Sequence, residues 1–148
     1  MLKGISPIIS PELLKLIAEM GHGDELVLAD ANFPGASMAK PNNCVFLRAD
    51  GHGVPELLDA ILQVIPLDEY VEHPVMIMQV AEKDKGLEVP IWDEYKKIVA
   101  RHDARGAAAF GSYERFEFYD EARKTYCILQ SGETAIYANI ILQKGVIK

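Results

Sequence analysis

A chain of 148 residues is long enough to bury a core without metal or disulfide staples. Hydrophobic residues make up 49% and charged residues 25%, which excludes a disordered polymer. The formal net charge of −7, with no basic run anywhere, argues against non-specific binding to nucleic acid or to an anionic membrane.

The opening Met1-Leu2-Lys3-Gly4-Ile5-Ser6-Pro7 lacks the long apolar core of a secretory signal, and no apolar run approaches the roughly 20 residues of a membrane span. Ser10-Pro11-Glu12 then opens a helix, with Ser10 as N-cap, Pro11 at the first helical position and Glu12 against the positive helix end. Leu13, Leu14, Leu16, Ile17 and Met20 supply its apolar face, and Gly21 is the expected C-cap. Leu26 to Asp30 reads as a strand buried on both faces, because its apolar run does not alternate. A loop rich in glycine, proline and asparagine leads to a second strand near Cys44 to Arg48. Cys44 and Cys127 each sit in apolar, strand-like runs without a close partner, the usage of a reducing compartment, so the expected location is cytoplasmic.

Pro55 opens a further helix with Leu57, Leu58, Ile61, Leu62 and Ile65 inward, and Pro66 closes it. Val75 to Val80 is a third strand, and the charged segment Glu82 to Pro90 a loop. Trp92, Tyr95, Ile98 and Val99 carry helical spacing; Arg105 to Ser112, with three alanines between glycines, has no clear period. Arg115 to Lys124 is a short helix, and Thr125 to Gln130 and Ala138 to Gln143 are expected to finish the chain as an antiparallel pair. This alternation predicts one domain over residues 1–148, a three-layer α/β/α fold on a mixed sheet.

Familiar catalytic signatures are missing: no phosphate-cradling glycine loop, no nucleophile elbow, no His-Glu-x-x-His and no Cys-x-x-Cys. The four histidines, at 22, 52, 73 and 102, have no metal-ligand spacing, so no metal and no cofactor are expected. His22 stands between two glycines after a helix end, where it either caps the last carbonyls or stands accessible as a proton donor. Asp30 and Asn32 lie at the carboxyl end of a buried strand, where open α/β sheets collect ligands; the carboxylate either grips hydroxyls or caps a turn. Arg115 and Tyr119 share a helix face at i and i+4, and Tyr137 and Asn139 share a strand face at i and i+2. Either pair alone could be ordinary packing. Together they offer two phenols, an amide and a guanidinium, which suit a polyol.

Several blocks carry a family resemblance. Ser10-Pro11-Glu12-Leu13-Leu14, Met20-Gly21-His22-Gly23-Asp24-Glu25, Ala29-Asp30-Ala31-Asn32-Phe33-Pro34, Arg48-Ala49-Asp50-Gly51, Pro66-Leu67-Asp68-Glu69-Tyr70-Val71, Glu114-Arg115-Phe116-Glu117-Phe118-Tyr119 and Gly132-Glu133 with Tyr137 to Leu142 fall in family order along nearly the whole chain. They resemble the family shared by L-fucose mutarotases and D-ribose pyranases, the fucose branch more than the ribose branch. The resemblance implies a cofactor-free isomerase acting on a monosaccharide, with His22 as proton donor and Tyr119 as a second acid/base group. It implies substrate contacts from Asp30, Arg115, Tyr137 and Asn139, with Asp68 and Met78 lining the same pocket. It also implies a homo-oligomer, a decameric ring in the family, whose sites neighbouring subunits complete. The sequence departs from the family pattern at His52, Ala138 and the loop Ala39 to Cys44, and His52 is expected to bear on which sugar fits. A ribose pyranase and a non-catalytic sugar-binding module are the rival readings.

Overall fold

The computed structural model describes residues 1–148. Helix α1 (Pro11–Glu19) begins as its sequence dictates: the Ser10 hydroxyl accepts the Leu13 N–H at 3.1 Å, and Leu13, Leu16 and Ile17 are buried. The helix stops at Met20 rather than Gly21, since Met20 turns to an extended conformation and Lys144 donates to the carbonyls of Ile17 (2.9 Å) and Met20. Strand β1 (Glu25–Ala29) follows, then a short helix α2 (Gly35–Ala39), β2 (Val45–Ala49), α3 (Val54–Leu62), β3 (Val75–Met78), α4 (Pro90–His102), β4 (Phe110–Tyr113), α5 (Arg115–Ala122), β5 (Cys127–Ser131) and β6 (Ile140–Gln143). Single 3-10 turns occupy Glu82–Asp84 and Gly106–Ala109.

The strands form one sheet in the order β2-β5-β1-β6-β3-β4. Neighbours pair in parallel except where β6 meets β1 and β3, so β6 alone runs against the other five. The expected hairpin of the last two strands is therefore wrong: β1 lies between β5 and β6, and the intervening segment 132–139 crosses over β1's carboxyl end. Every residue of β5 is buried, the position of a central strand rather than an edge.

β1 shows why the sheet needs cover on both sides. Leu26 and Leu28 pack into a core with α1, α3 and α4, while Val27 and Ala29 pack into a second core with Phe33, Met38 and Phe118 from the α2 and α5 side. This is the expected three-layer α/β/α arrangement on a mixed sheet. Its topology sends the carboxyl ends of five strands, with the start of β6, to one edge of the molecule.

Glu25 opens β1 opposite Gln143 and is half-buried. Burial first, then the Glu121 carboxylate beside it, push its carboxyl from 4.5 up to about 7, and Lys124 offsets them only partly. The folded chain thus holds a proton that the unfolded chain releases, so this group lowers stability as pH rises from 4.5 towards 7. Glu25→Gln is expected to flatten that slope. Urea denaturation at the two ends of the range checks it, and an unchanged slope would assign the pH dependence elsewhere.

Candidate active site

The strand-end edge carries a cleft of about 450 Å³. Asp30 reaches it from the end of β1, Met78 from the end of β3, Arg115 and Tyr119 from α5, and Tyr137 and Asn139 from the crossover before β6. The topology thus brings six of the expected residues together. The cleft also takes in Phe33, Lys83, Asp84 and Ile136, which the sequence did not single out, along with Asn32.

Asp30 and Asn139 form the floor. The Asn139 amide donates to Asp30 Oδ2 at 2.9 Å, and its carbonyl accepts the Asp30 backbone N–H at 2.8 Å. Asp30 Oδ1 accepts the Asn32 N–H at 2.9 Å. Gln130 fastens the same turn from below, donating to the carbonyls of Asp30 (2.8 Å) and Phe33 (2.9 Å). Helix α2 presses close here: a Cβ on Gly35 would stand 2.7 Å from the side-chain amide oxygen of Gln130. Burial pushes the Asp30 carboxyl above its ordinary value, and the Asn32 and Asn139 donors only partly counter it. One Asp30 oxygen serves the turn, and the residue also lines the cleft.

The walls are less committed. Glu114 caps α5 by accepting the Phe116 N–H at 2.9 Å, which aims Arg115 and Tyr119 along one helix face as their spacing predicts. The Arg115 guanidinium lies 5.7 Å from the Tyr119 ring centre and 5.3 Å from that of Phe116, and Tyr119 meets Phe33 edge-on at 5.7 Å. Neither the guanidinium nor the Tyr119 hydroxyl has a hydrogen-bond partner within the chain, so both are free for a ligand. Tyr137 and Asn139 are not on a strand as expected; both precede β6, and Tyr137 has a left-handed backbone at φ 56.

His22 lies elsewhere. It precedes β1 while Asp30 follows it, so five residues of extended chain, roughly 16 Å, separate them. His22 Nε2 faces Asp68 Oδ1 at 3.1 Å, and its ring is tilted against Tyr70 with centres 5.2 Å apart. It is not a helix cap, because Lys144 already fills the carbonyls at the end of α1. The ring is 45% exposed and Asp68 only 3%, so a ligand there would meet the imidazole and not the carboxylate. Asp68 is therefore outside the cleft, contrary to expectation. Burial raises its carboxyl, but the Tyr70 N–H at 2.9 Å and His22 together hold it below its usual range. His22 also borders a second, mostly apolar hollow of about 460 Å³ with Leu14, Ile17, Val64 and Ile147.

His52 does not line the cleft either; its Nδ1 pairs with Glu56 at 3.0 Å at the start of α3. No group of three or more His, Cys, Asp or Glu side chains is placed to hold a metal ion. No helix is long and apolar enough to cross a membrane.

Known proteins resemble this chain from end to end. A fucose mutarotase of Homo sapiens is 48% identical over 148 residues, covering 99% of this chain and 94% of that protein. An L-fucose mutarotase of Glaesserella parasuis serovar 5 is 44% identical over 146 residues, covering 99% and 96%. Among solved structures, the fucose mutarotase of Streptococcus pneumoniae in complex with L-fucose superposes with a TM-score of 0.90 at 44% identity, covering 99% of this chain and 100% of that one. Bacillus subtilis RbsD with D-ribose, at 19% identity and a TM-score of 0.75, shares the fold. The RbsD / FucU transport protein family model matches residues 3–147, and the chain belongs to that family.

Proposed function

We propose that residues 1–148 form one sugar mutarotase domain that interconverts the α and β anomers of L-fucose. The carrying observation is the strand-end cleft, where a carboxylate, an amide, two phenols and a guanidinium converge in a chain 44% identical to a protein solved with L-fucose. Asp30, Asn139, Tyr137 and Arg115 hold the sugar hydroxyls, and Met78 offers an apolar surface beside them.

The reaction asks for little. One group takes the proton of the anomeric hydroxyl while another protonates the ring oxygen, and the C1–O5 bond breaks as the C1 carbonyl forms. C1 turns about the C1–C2 bond, the freed hydroxyl attacks from the other face, and the two protons return. Acid–base groups of the kind present here supply roughly 10²–10⁴-fold each. Tyr119 is one, with its hydroxyl uncommitted. His22 is the other, held at Nε2 by Asp68 with its ring partly exposed.

Since His22 cannot reach the cleft of its own chain, the site we propose takes His22 from a second copy. That places Asp68 as the group orienting His22, and it makes a homo-oligomer the working form, the decameric ring being the version expected of the family. A cytoplasmic location suits the two free thiols, of which Cys127 is pushed up to about 12 by burial.

Saturation-transfer NMR on L-fucose, D-ribose and D-galactose tests the reading. Micromolar protein is expected to accelerate exchange between the fucose anomers most. Acceleration of ribose pyranose–furanose exchange alone would favour the pyranase, and no acceleration of any sugar would leave a binding module.

A further inference from the structure

The cleft wall made by Ala81, Lys83 and Asp84 belongs to a single 3-10 turn that no core residue anchors. What ties it down is one phenol. Tyr137 Oη donates to Asp84 Oδ2 at 2.6 Å and accepts the Ala81 N–H at 3.1 Å, so it bridges both ends of the turn. Tyr137 is itself fixed from behind, its carbonyl accepting Trp92 Nε1–H at 2.8 Å from α4. Its backbone is left-handed (φ 56), a conformation that costs a non-glycine residue on the order of 1 kcal/mol or more and persists only where surroundings impose it.

A phenol has one proton to give and two lone pairs to offer. Here the proton goes to Asp84 and one lone pair to Ala81, which leaves a single acceptor position towards the cleft. Tyr119, which lines the same cleft, has its proton uncommitted. The two phenols are therefore not equivalent.

The geometry points to Asp84 as a positioning residue for this site: through the Tyr137 phenol it closes the 81–84 turn over the cleft and fixes Tyr137 as an acceptor for a substrate hydroxyl. Asp84 thereby assigns the two phenols opposite parts, Tyr137 receiving a hydrogen bond and Tyr119 able to give a proton. Without Asp84 the Tyr137 hydroxyl can turn and donate, competing with the donors that grip the sugar. The substrate half of this inference rests on the mutarotase reading; the closure of the turn does not.

Two readouts keep the halves apart. In the protein without sugar, amide hydrogen exchange of Ala81 reports the turn directly, because that N–H is the one bound to the phenol. Asp84→Ala and Tyr137→Phe are each expected to speed Ala81 exchange about tenfold or more, while Asp84→Asn, whose amide oxygen still accepts, stays near wild type. In the exchange assay on L-fucose, Asp84→Ala is expected to raise KM about tenfold with kcat within about twofold. Asp84→Asn recovers most of that loss, and adding Asp84→Ala to Tyr137→Phe changes KM by less than about twofold.

Unchanged Ala81 exchange in Asp84→Ala overturns the closure. Equal KM losses in Asp84→Asn and Asp84→Ala overturn the hydrogen-bond assignment and make Asp84 a direct charge contact. A loss confined to kcat overturns the positioning role. A wild-type protein inactive on fucose defeats the mutarotase reading and with it the substrate half, and the Ala81 exchange then decides the closure alone.

Discussion

His22→Ala is expected to lower the anomer exchange rate by about 10²- to 10⁴-fold, the range for losing one positioned acid–base group. Asp68→Asn keeps the shape but replaces a carboxylate accepting from Nε2, and is expected to cost roughly 10- to 100-fold, as for one charge-assisted hydrogen bond. Tyr119→Phe removes the partner group and is expected to resemble His22→Ala. The decisive experiment combines them. Neither His22→Ala nor Tyr119→Phe chains have a complete set, yet a site built across two chains regains one when the variants are mixed. Such a site takes its histidine from a Tyr119→Phe chain and its tyrosine from a His22→Ala chain.

In an equal co-refolded mixture, about a quarter of such sites are complete, so about a quarter of the wild-type rate returns. A site built within one chain gains nothing by mixing. The opposed placement of His22 and Asp30 about β1 makes recovery the expected result. A mixture as inactive as its parents would overturn a site shared between two chains, and a His22→Ala parent as active as wild type would remove His22 from the mechanism.

Much of this was legible in residues and some was not. Ser10-Pro11-Glu12 and the unbroken apolar run of β1 reported their structures because local chemistry fixes them: a hydroxyl cap, a proline at the first turn, apolar side chains on both faces. The pair Arg115 and Tyr119 was legible from helical spacing alone. β4 was not, since Phe110-Gly111-Ser112-Tyr113 is a half-exposed edge strand with a weak strand composition, and Gly111 is there because a Cβ would press Met76 Sδ at 2.7 Å. Helix α2 was read as loop for a similar reason: Gly35 opens it to fit against Gln130, a partner far along the chain.

The site failed to read in a different way. Tyr137 and Asn139 look like alternate residues of a strand, yet both line the cleft from the segment before β6, where Tyr137 has a left-handed backbone. Asp68 carried no sign of belonging to His22, since the pairing depends on the residues before β1 and β3 meeting at the far edge of the sheet. Lys83 and Asp84 sit in a charged run indistinguishable from a solvated loop until Tyr137 is placed. Periodicity reports faces of single elements; it does not report which edge of a sheet two elements share.

Asn139→Ala is expected to be the most damaging single change to the cleft, because it acts on stability and binding at once. It removes both hydrogen bonds to Asp30 and leaves a buried N–H and a buried carboxylate oxygen without that partner. At about 1–3 kcal/mol for an unsatisfied buried group, and more where one is charged, the loss should come to roughly 2–4 kcal/mol. The pH dependence identifies the cause. Asp30 already titrates above its usual 3.8 because of burial, and the Asn139 donor is one of the groups holding it down. Without it the folded-state value rises further while the unfolded value stays, so the folded variant binds a proton the unfolded chain releases across a wider range. Stability of Asn139→Ala then falls more steeply than wild type as pH rises from 3.8 through that range, and the deficit is smallest in acid, where Asp30 is neutral in both states. Denaturant titrations of both proteins at a series of pH values measure it. A deficit independent of pH would mean that Asn139 supports the backbone of Asp30 and does nothing for its charge.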